Sequence, residues 1–181
     1  MFKKIFLSIS VLSALIAFSS ISFAQMREAN KPWEISVGLT SWTGDHDDAG
    51  FDIGFILGID YIIGVTENSM TFVGARGIWG SDGFDSRTFG GHIGIKFNLG
   101  EARGAQPFYV KAAAGAYNTE LSNGGSVDET DFGGFIGIGY DFDFGAETTN
   151  IPAAFELGYF FMPEVTSIDN TGFYFSLGVR V

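Results

Sequence analysis

The residues of this chain that could do chemistry are few and widely spaced. There are two histidines and no cysteine, so thiolate nucleophiles and thiolate metal sites are ruled out. Any general base for hydrolysis would have to be His46 or His92. His46 lies in the acidic run Asp45-His46-Asp47-Asp48, which offers orienting carboxylates but no serine at a fixed distance. His92 has Ser86 as its nearest upstream serine, and neither histidine is part of a His-x-Ser pair. A nucleophile, base and orienter must sit within hydrogen-bond reach of one another. Nothing in the spacing provides that, and no residue is assigned a catalytic role.

The other ionisable residues say more, because of where they recur. Glu34, Asp52, Asp60, Arg76, His92, Lys96, Lys111, Asp141, Asp143, Glu156 and Arg180 fall at alternate positions in segments whose intervening positions are mostly apolar. In a closed sheet such positions point inward, where charges must pair or be hydrated. Glu34 and Arg180 lie on the first and last segments, at matching depth, and are expected to be neighbours at the seam. Lys111 and Glu156 are expected to share a depth across one intervening strand. Arg76 and Lys96 then complete a lumen charge network of Glu34, Arg76, Lys96, Lys111, Glu156 and Arg180. His92 is expected to be a hydrogen-bonded filler of the same interior.

Eight segments position these residues, each with the two-residue period of a strand with unlike faces. They run Trp33 to Trp42, Phe51 to Ile62, Met70 to Trp79, Thr88 to Leu99, Pro107 to Tyr117, Phe132 to Phe144, Ala153 to Met162 and Phe173 to Val181. The fourth is the clearest, with Phe89, Ile93, Ile95, Phe97 and Leu99 opposite Gly90, His92, Gly94, Lys96 and Asn98. The third is the least regular, since Phe72 and Ile78 fall on its polar face, and a bulge is expected there. The alanines of the fifth suggest a helix, but Pro107, Gly115 and the strict alternation favour a strand. Clusters of Gly, Asp, Asn, Ser and Pro separate the segments as turns.

The two faces decide between a soluble barrel and a membrane barrel. A solvated outer face would be rich in Lys, Glu, Thr and Ser, whereas here the smaller face is mostly Gly, Ala and Tyr with isolated charges. Eight strands enclose a space only just wide enough for side chains, so small residues there make room for the large ones. The opposite face is aliphatic and aromatic over about 9 to 11 residues per segment, the length of a tilted bilayer-spanning strand. Trp33, Tyr61, Phe97, Phe108, Tyr140 and Phe142 gather near one rim, and Phe51, Trp79, Phe89, Phe161 and Phe173 near the other, as two aromatic girdles. The expected fold is therefore all-β: an eight-stranded antiparallel up-and-down transmembrane β-barrel.

Export is expected from the amino terminus. Lys3 and Lys4 precede an apolar run from Ile5 to Phe18, and Ser22-Phe23-Ala24 is a small-x-small processing site, so residues 1–24 read as a signal peptide cleaved after Ala24. Removing 24 of the 181 residues leaves 157, one domain spanning 25–181. That portion keeps 8 of the 10 Lys and Arg and all 21 Asp and Glu, a formal charge of −13, so nucleic acid is not an expected partner. No cofactor is expected.

The leader, the eight segments, the Gln106-Pro107-Phe108-Tyr109-Val110-Lys111-Ala112 opening of the fifth, the Phe132-Gly133-Gly134-Phe135-Ile136-Gly137-Ile138-Gly139 run and the apolar carboxyl end resemble the OmpA/OmpX-type outer-membrane β-barrel superfamily. The resemblance covers essentially all of residues 25–181, although the chain ends in Val181 where many such proteins end in Phe. It implies insertion into the cell outer membrane of a Gram-negative-type bacterium by the barrel-assembly machinery, with outer-membrane lipid and lipopolysaccharide as surroundings. No periplasmic domain is expected after the eighth strand.

With both ends on the periplasmic side, segments 43–50, 80–87, 118–131 and 163–172 become outer connectors, and 63–69, 100–106 and 145–152 inner ones. The outer ones are acidic, with Asp45, Asp47, Asp48, Asp82, Asp85, Glu120, Asp128, Glu129, Asp131, Glu164 and Asp169 against Arg87 alone. Such carboxylates could hold divalent cations against lipopolysaccharide phosphates, but the Asp45 to Asp48 spacing is no recognised calcium loop, so no metal ligands are assigned. The expected function is a structural or surface-interaction role in the cell envelope, its ligand undefined. A porin-like small-solute channel is the alternative, and a lipid A-modifying enzyme a more distant one.

Overall fold

The computed structural model describes residues 31–43, 53–66, 68–82, 84–99, 108–122, 126–144, 151–165 and 168–181. The expected leader with its processing site, the Asp45 to Asp48 run with His46, Phe51, Asp52 and Pro107 lie outside the described residues. The strands are β1 (Trp33–Thr43), β2 (Gly54–Val65), β3 (Ser69–Asp82), β4 (Phe84–Asn98), β5 (Phe108–Ser122), β6 (Ser126–Phe144), β7 (Ile151–Val165) and β8 (Ile168–Arg180). Each pairs antiparallel with its chain neighbours, and β1 pairs with β8, so the sheet is a closed barrel. At the seam Glu34 faces Arg180, and Trp33 and Val181 exchange backbone hydrogen bonds of 3.1 and 2.8 Å. Closure leaves no edge within the wall, as a sheet in hydrocarbon requires.

Alternation sets the two surfaces. Leu39, Ile53, Ile138 and Leu157 on the outer wall are 54–67% exposed, whereas Tyr109, Tyr117, Phe135, Phe160 and Tyr174 inside are at most 1% exposed. An outer face this apolar on every strand matches lipid rather than water. Aromatic pairs mark both rims of the band. Trp33 stacks near Tyr61 (4.7 Å) and Phe108 near Tyr140 (5.1 Å) toward the rim holding the chain ends. Trp79 meets Phe89 (4.9 Å) and Phe132 meets Phe161 (6.4 Å) toward the far rim.

Inner glycines lie beneath the large rings. The Trp42 indole covers Gly54 and Gly80, Tyr109 covers Gly139, Tyr117 covers Gly90, and Tyr174 covers Gly158. Each ring occupies the space a Cβ would need, so large and glycine positions interlock across neighbouring strands.

Three expectations are corrected. Phe72 and Ile78 need no bulge in β3: the β3–β4 register is unbroken across both and the β2–β3 register across Ile78, and both point inward, 3% and 2% exposed, as space-filling residues. The bulge lies in β2, between Ile62 and Gly64, and a second interrupts the β7–β8 register between Met162 and Val165. The segments expected as outer connectors 80–87, 118–131 and 163–172 are largely strand, because pairing continues to Asp82↔Phe84, Ser122↔Ser126 and Val165↔Ile168. Beyond the apolar band polar residues occupy outward positions and, as with Ser86, Thr119 and Asn170, buried inward ones too, so these segments look like turns in sequence while the ladder continues. Ser86 accordingly lies in β4 and is buried, 2% exposed.

A β-branched side chain at Gly158 would collide with the Tyr174 ring and the Ile136 carbonyl oxygen, the nearest atoms at 2.5 Å from the added Cβ. Gly158→Val is expected to abolish the compact, fast-migrating form seen in detergent gels before heating, while Gly91→Ala, whose Cβ has nothing closer than 3.7 Å, keeps it. Equal migration of the two variants without heating would contradict this packing.

Candidate functional site: a filled lumen

The barrel interior has two tiers. Toward the far rim it is apolar: Trp42, Ile56, Ile78, Phe135, Leu121, Phe160, Met162 and Val165 belong to one buried cluster, which Phe72 joins from the ionic side, its ring 4.7 Å from Lys111 Nζ. Within it Asn170 acts as a polar hub. Its Oδ1 accepts from Trp42 Nε1 (3.0 Å), and its Nδ2 donates to Thr88 Oγ1 (3.0 Å) and Thr119 Oγ1 (3.2 Å). One side chain thus ties β8 to β1, β4 and β5, with its amide donors and acceptor all used.

Toward the rim of the chain ends the interior is ionic. Lys111 Nζ donates to Glu34 Oε1 and Asp60 Oδ2, both at 2.8 Å. Lys96 Nζ is 2.6 Å from Asp141 Oδ1 and 4.0 Å from Glu34 Oε2. Arg180 reaches the same two carboxylates at 3.8 Å (Glu34) and 3.7 Å (Asp141). His92 bridges onward, with Nε2 2.7 Å from Asp60 and Nδ1 3.0 Å from the Tyr117 hydroxyl. Gly74 lies between Asp60 and His92 in the ladder, and only the missing side chain lets them meet.

Of the six residues expected as the network, Glu34 and Arg180 are neighbours at the seam as expected, 3.8 Å apart, and Lys111 and Glu156 line one cavity without pairing. Lys111 makes no ion pair with Glu156. Glu156 instead accepts from two phenols, Tyr174 (2.6 Å) and Tyr109 (3.1 Å). Arg76 makes no ion pair among the described residues. Its guanidinium lies 3.5 Å above the Phe135 ring and 5.3 Å from that of Tyr174, so ring faces hold its charge, and its Nε and Nη1 have no hydrogen-bond acceptor. Asp60 and Asp141, absent from the expected six, complete the set. Four cations (Arg76, Lys96, Lys111, Arg180) then match four carboxylates (Glu34, Asp60, Asp141, Glu156). Asp143 is exposed and takes no part in these pairs. Tyrosine partners escaped the sequence reading because a phenol in an alternating pattern passes for an apolar filler.

Little space remains within the ionic tier. The cavity between Arg76, Tyr109, Lys111, Glu156 and Ser176 is about 10 Å³, about the room one water needs. Both ring nitrogens of His92 are engaged by Asp60 and Tyr117, and Ser86 is six residues up the same strand, roughly 20 Å away at 3.3 Å per residue. Among the described residues no cluster of three His, Asp or Glu side chains is placed to hold a metal ion.

A closed eight-stranded sheet with a filled interior and a lipid-facing wall settles the architecture. The fold is that of the eight-stranded outer-membrane barrels. It is similar to the crystal structure of Neisserial surface protein A, with a TM-score of 0.59 and 15% identity over 82% of this chain and 94% of that one. It is also similar to Ail, the attachment invasion locus protein of Yersinia pestis, solved with the heparin analogue sucrose octasulfate, with a TM-score of 0.51 and 13% identity over 83% of this chain and 99% of that one. No protein-family model and no curated protein matches the sequence.

Lys111 carries the ionic tier, since it is the shared partner of Glu34 and Asp60. Lys111→Met is expected to cost about 3–5 kcal/mol by leaving two buried carboxylates with reduced compensation. Arg180→Gln, at a side chain 21% exposed with longer contacts, is expected to cost no more than about 1 kcal/mol. Urea unfolding in detergent micelles measures both, and equal costs would contradict the assignment of Lys111 as the centre.

Proposed function

We propose that this chain is an exported, integral outer-membrane protein with a structural or surface-interaction role and no transport through its lumen. The observation that carries this is the doubly sealed interior: an apolar tier packed around Asn170 above a charge-matched tier around Lys111. Water and ions would have to displace both, and eight strands leave no spare width to do so. In this reading the leader is removed after Ala24, the barrel-assembly machinery inserts residues 25–181, and outer-membrane lipid with lipopolysaccharide surrounds the wall. The chain-end rim is periplasmic, and the paired extensions of β3 to β8 stand outside the cell.

Those extensions are acidic, with Asp128, Glu129, Asp131, Glu164 and Asp169 exposed. A polyanion such as the sucrose octasulfate held by Ail does not suit such a surface, so the partner class favoured here is cationic. The catalytic reading gains no support from His92, whose ring is already engaged on both sides.

Single-channel recording of the purified protein in planar bilayers tests the closed lumen. The expected result is no conductance of measurable size. Conductance steps that change on Lys111→Gln or Glu156→Gln would replace this reading with the small-solute channel. Altered lipid A on expression, lost with His92→Ala, would replace it with a lipid-modifying enzyme.

A further inference from the structure

Above the lipid band the sheet opens along one strand. β6 has 19 residues, and β5 pairs with it to its first residue, through Ser122↔Ser126. On the other side β7 pairs with it only from Gly134↔Phe161 to Phe144↔Ile151. Ser126 to Gly133 therefore have a ladder partner on one side only. Among the described residues no other backbone hydrogen bond reaches them, and residues 126–132 are all exposed.

β7 causes the gap. Its bulge between Met162 and Val165 contains Pro163, which has no N–H to give a neighbouring strand, and the bulge increases local twist. Met162 keeps the regular inward face of β7 and the bulge brings Val165 to the same side, the two being 6% and 0% exposed in the apolar tier. β6 therefore continues beyond its pairing with β7 beside β5 alone.

The open side is ordered and marked by charge. Phe132 N–H donates to the Asp131 carboxylate at 2.7 Å, so this N–H is turned away from β5. By the alternation of an antiparallel ladder, Asp128 and Thr130 present their N–H and C=O groups to the same open side. Asn118 Nδ2 holds Asp128 and Thr130 in place, at 3.3 and 2.9 Å. Asp128, Glu129 and Asp131 all lie on this segment. A second copy of the chain would set those carboxylates against their equals, which disfavours edge-to-edge pairing.

We propose that the free edge of β6, Ser126 to Phe132, binds an extended cationic peptide segment of a partner protein by adding it as a further strand, with backbone hydrogen bonds supplying affinity and the carboxylates of Asp128, Glu129 and Asp131 selecting charge. The inference rests on the surface-interaction reading and names its partner class. An edge of this length, at about 3.3 Å per residue, suits a peptide of about six residues.

The probe is a synthetic peptide of alternating lysine and valine, titrated by fluorescence anisotropy against the whole protein in detergent. The control peptide has the same sequence with alternate backbone nitrogens methylated, which keeps the charge and removes the donors. The expected result is at least tenfold weaker binding of the methylated peptide. An equal loss is expected with Thr130→Pro, its barrel checked by heat-dependent gel mobility. Asp128→Asn with Asp131→Asn, which leaves the edge intact, is expected to weaken binding several-fold and flatten its salt dependence. Equal binding of the two peptides, or unchanged affinity of the charge variant, would overturn the proposal. So would a Val127→Cys disulfide dimer whose formation under oxidation is not reduced by prior addition of the peptide, which would assign the edge to a second copy. The closed lumen is read separately, by conductance, so failure here is distinguishable from failure of the underlying reading.

Discussion

A sheet in hydrocarbon can leave no backbone group unpaired, and that constraint governs the rest of this structure. It forces closure, and closing eight strands fixes an interior barely wider than the side chains that line it. From then on the lumen must be filled to volume and balanced in charge. Trp42 over Gly54 and Gly80, and Tyr174 over Gly158, meet the volume condition. Four cations matched to four carboxylates meet the charge condition without requiring a charge on His92. Unlike a soluble core, where mutual burial of apolar surface drives association, this interior holds the costly groups and the wall carries the favourable transfer to lipid.

The same constraint explains what could be read from the sequence. Wall positions obey one rule over the whole band, so the strands, their outward faces and the meeting of β1 with β8 follow from alternation. The interior obeys no simple positional rule. Strand tilt and stagger shift depth from one strand to the next, so counting from strand ends places Lys111 beside Glu156, although its Nζ lies between Glu34 and Asp60. Inward apolar residues such as Ile56, Phe72 and Phe135 look like breaks in the pattern until the apolar tier is seen as a unit. Asn170, the hub of that tier, gives no signal at all, since a single asparagine in a polar stretch reads as a turn.

Where the lipid ends, so does the requirement for a closed sheet, and the strands diverge in length and partner. Polar residues at both faces of Asn118 to Asp131 conceal a ladder that the pairing of β5 with β6 carries to Ser126. The β7 bulge with Pro163 is a local sequence cause with a distant effect. The bulge brings Val165 inward beside Met162, just beyond the point, Phe161, where β7 stops pairing with β6.

An open edge in water would ordinarily be a liability, and the usual defences are charge, proline and twist. Here charge serves in two ways. Asp128, Glu129 and Asp131 hinder pairing with an identical edge, and Asp131 also occupies the Phe132 donor. None of this blocks a strand of opposite charge, which would neutralise the carboxylates as it filled the ladder. A defence against self-association that leaves the backbone groups of Asp128 and Thr130 available is therefore also a filter for partners. In the proposed reading, the course of β7 both helps fill the lumen and leaves the edge of β6 free for recognition.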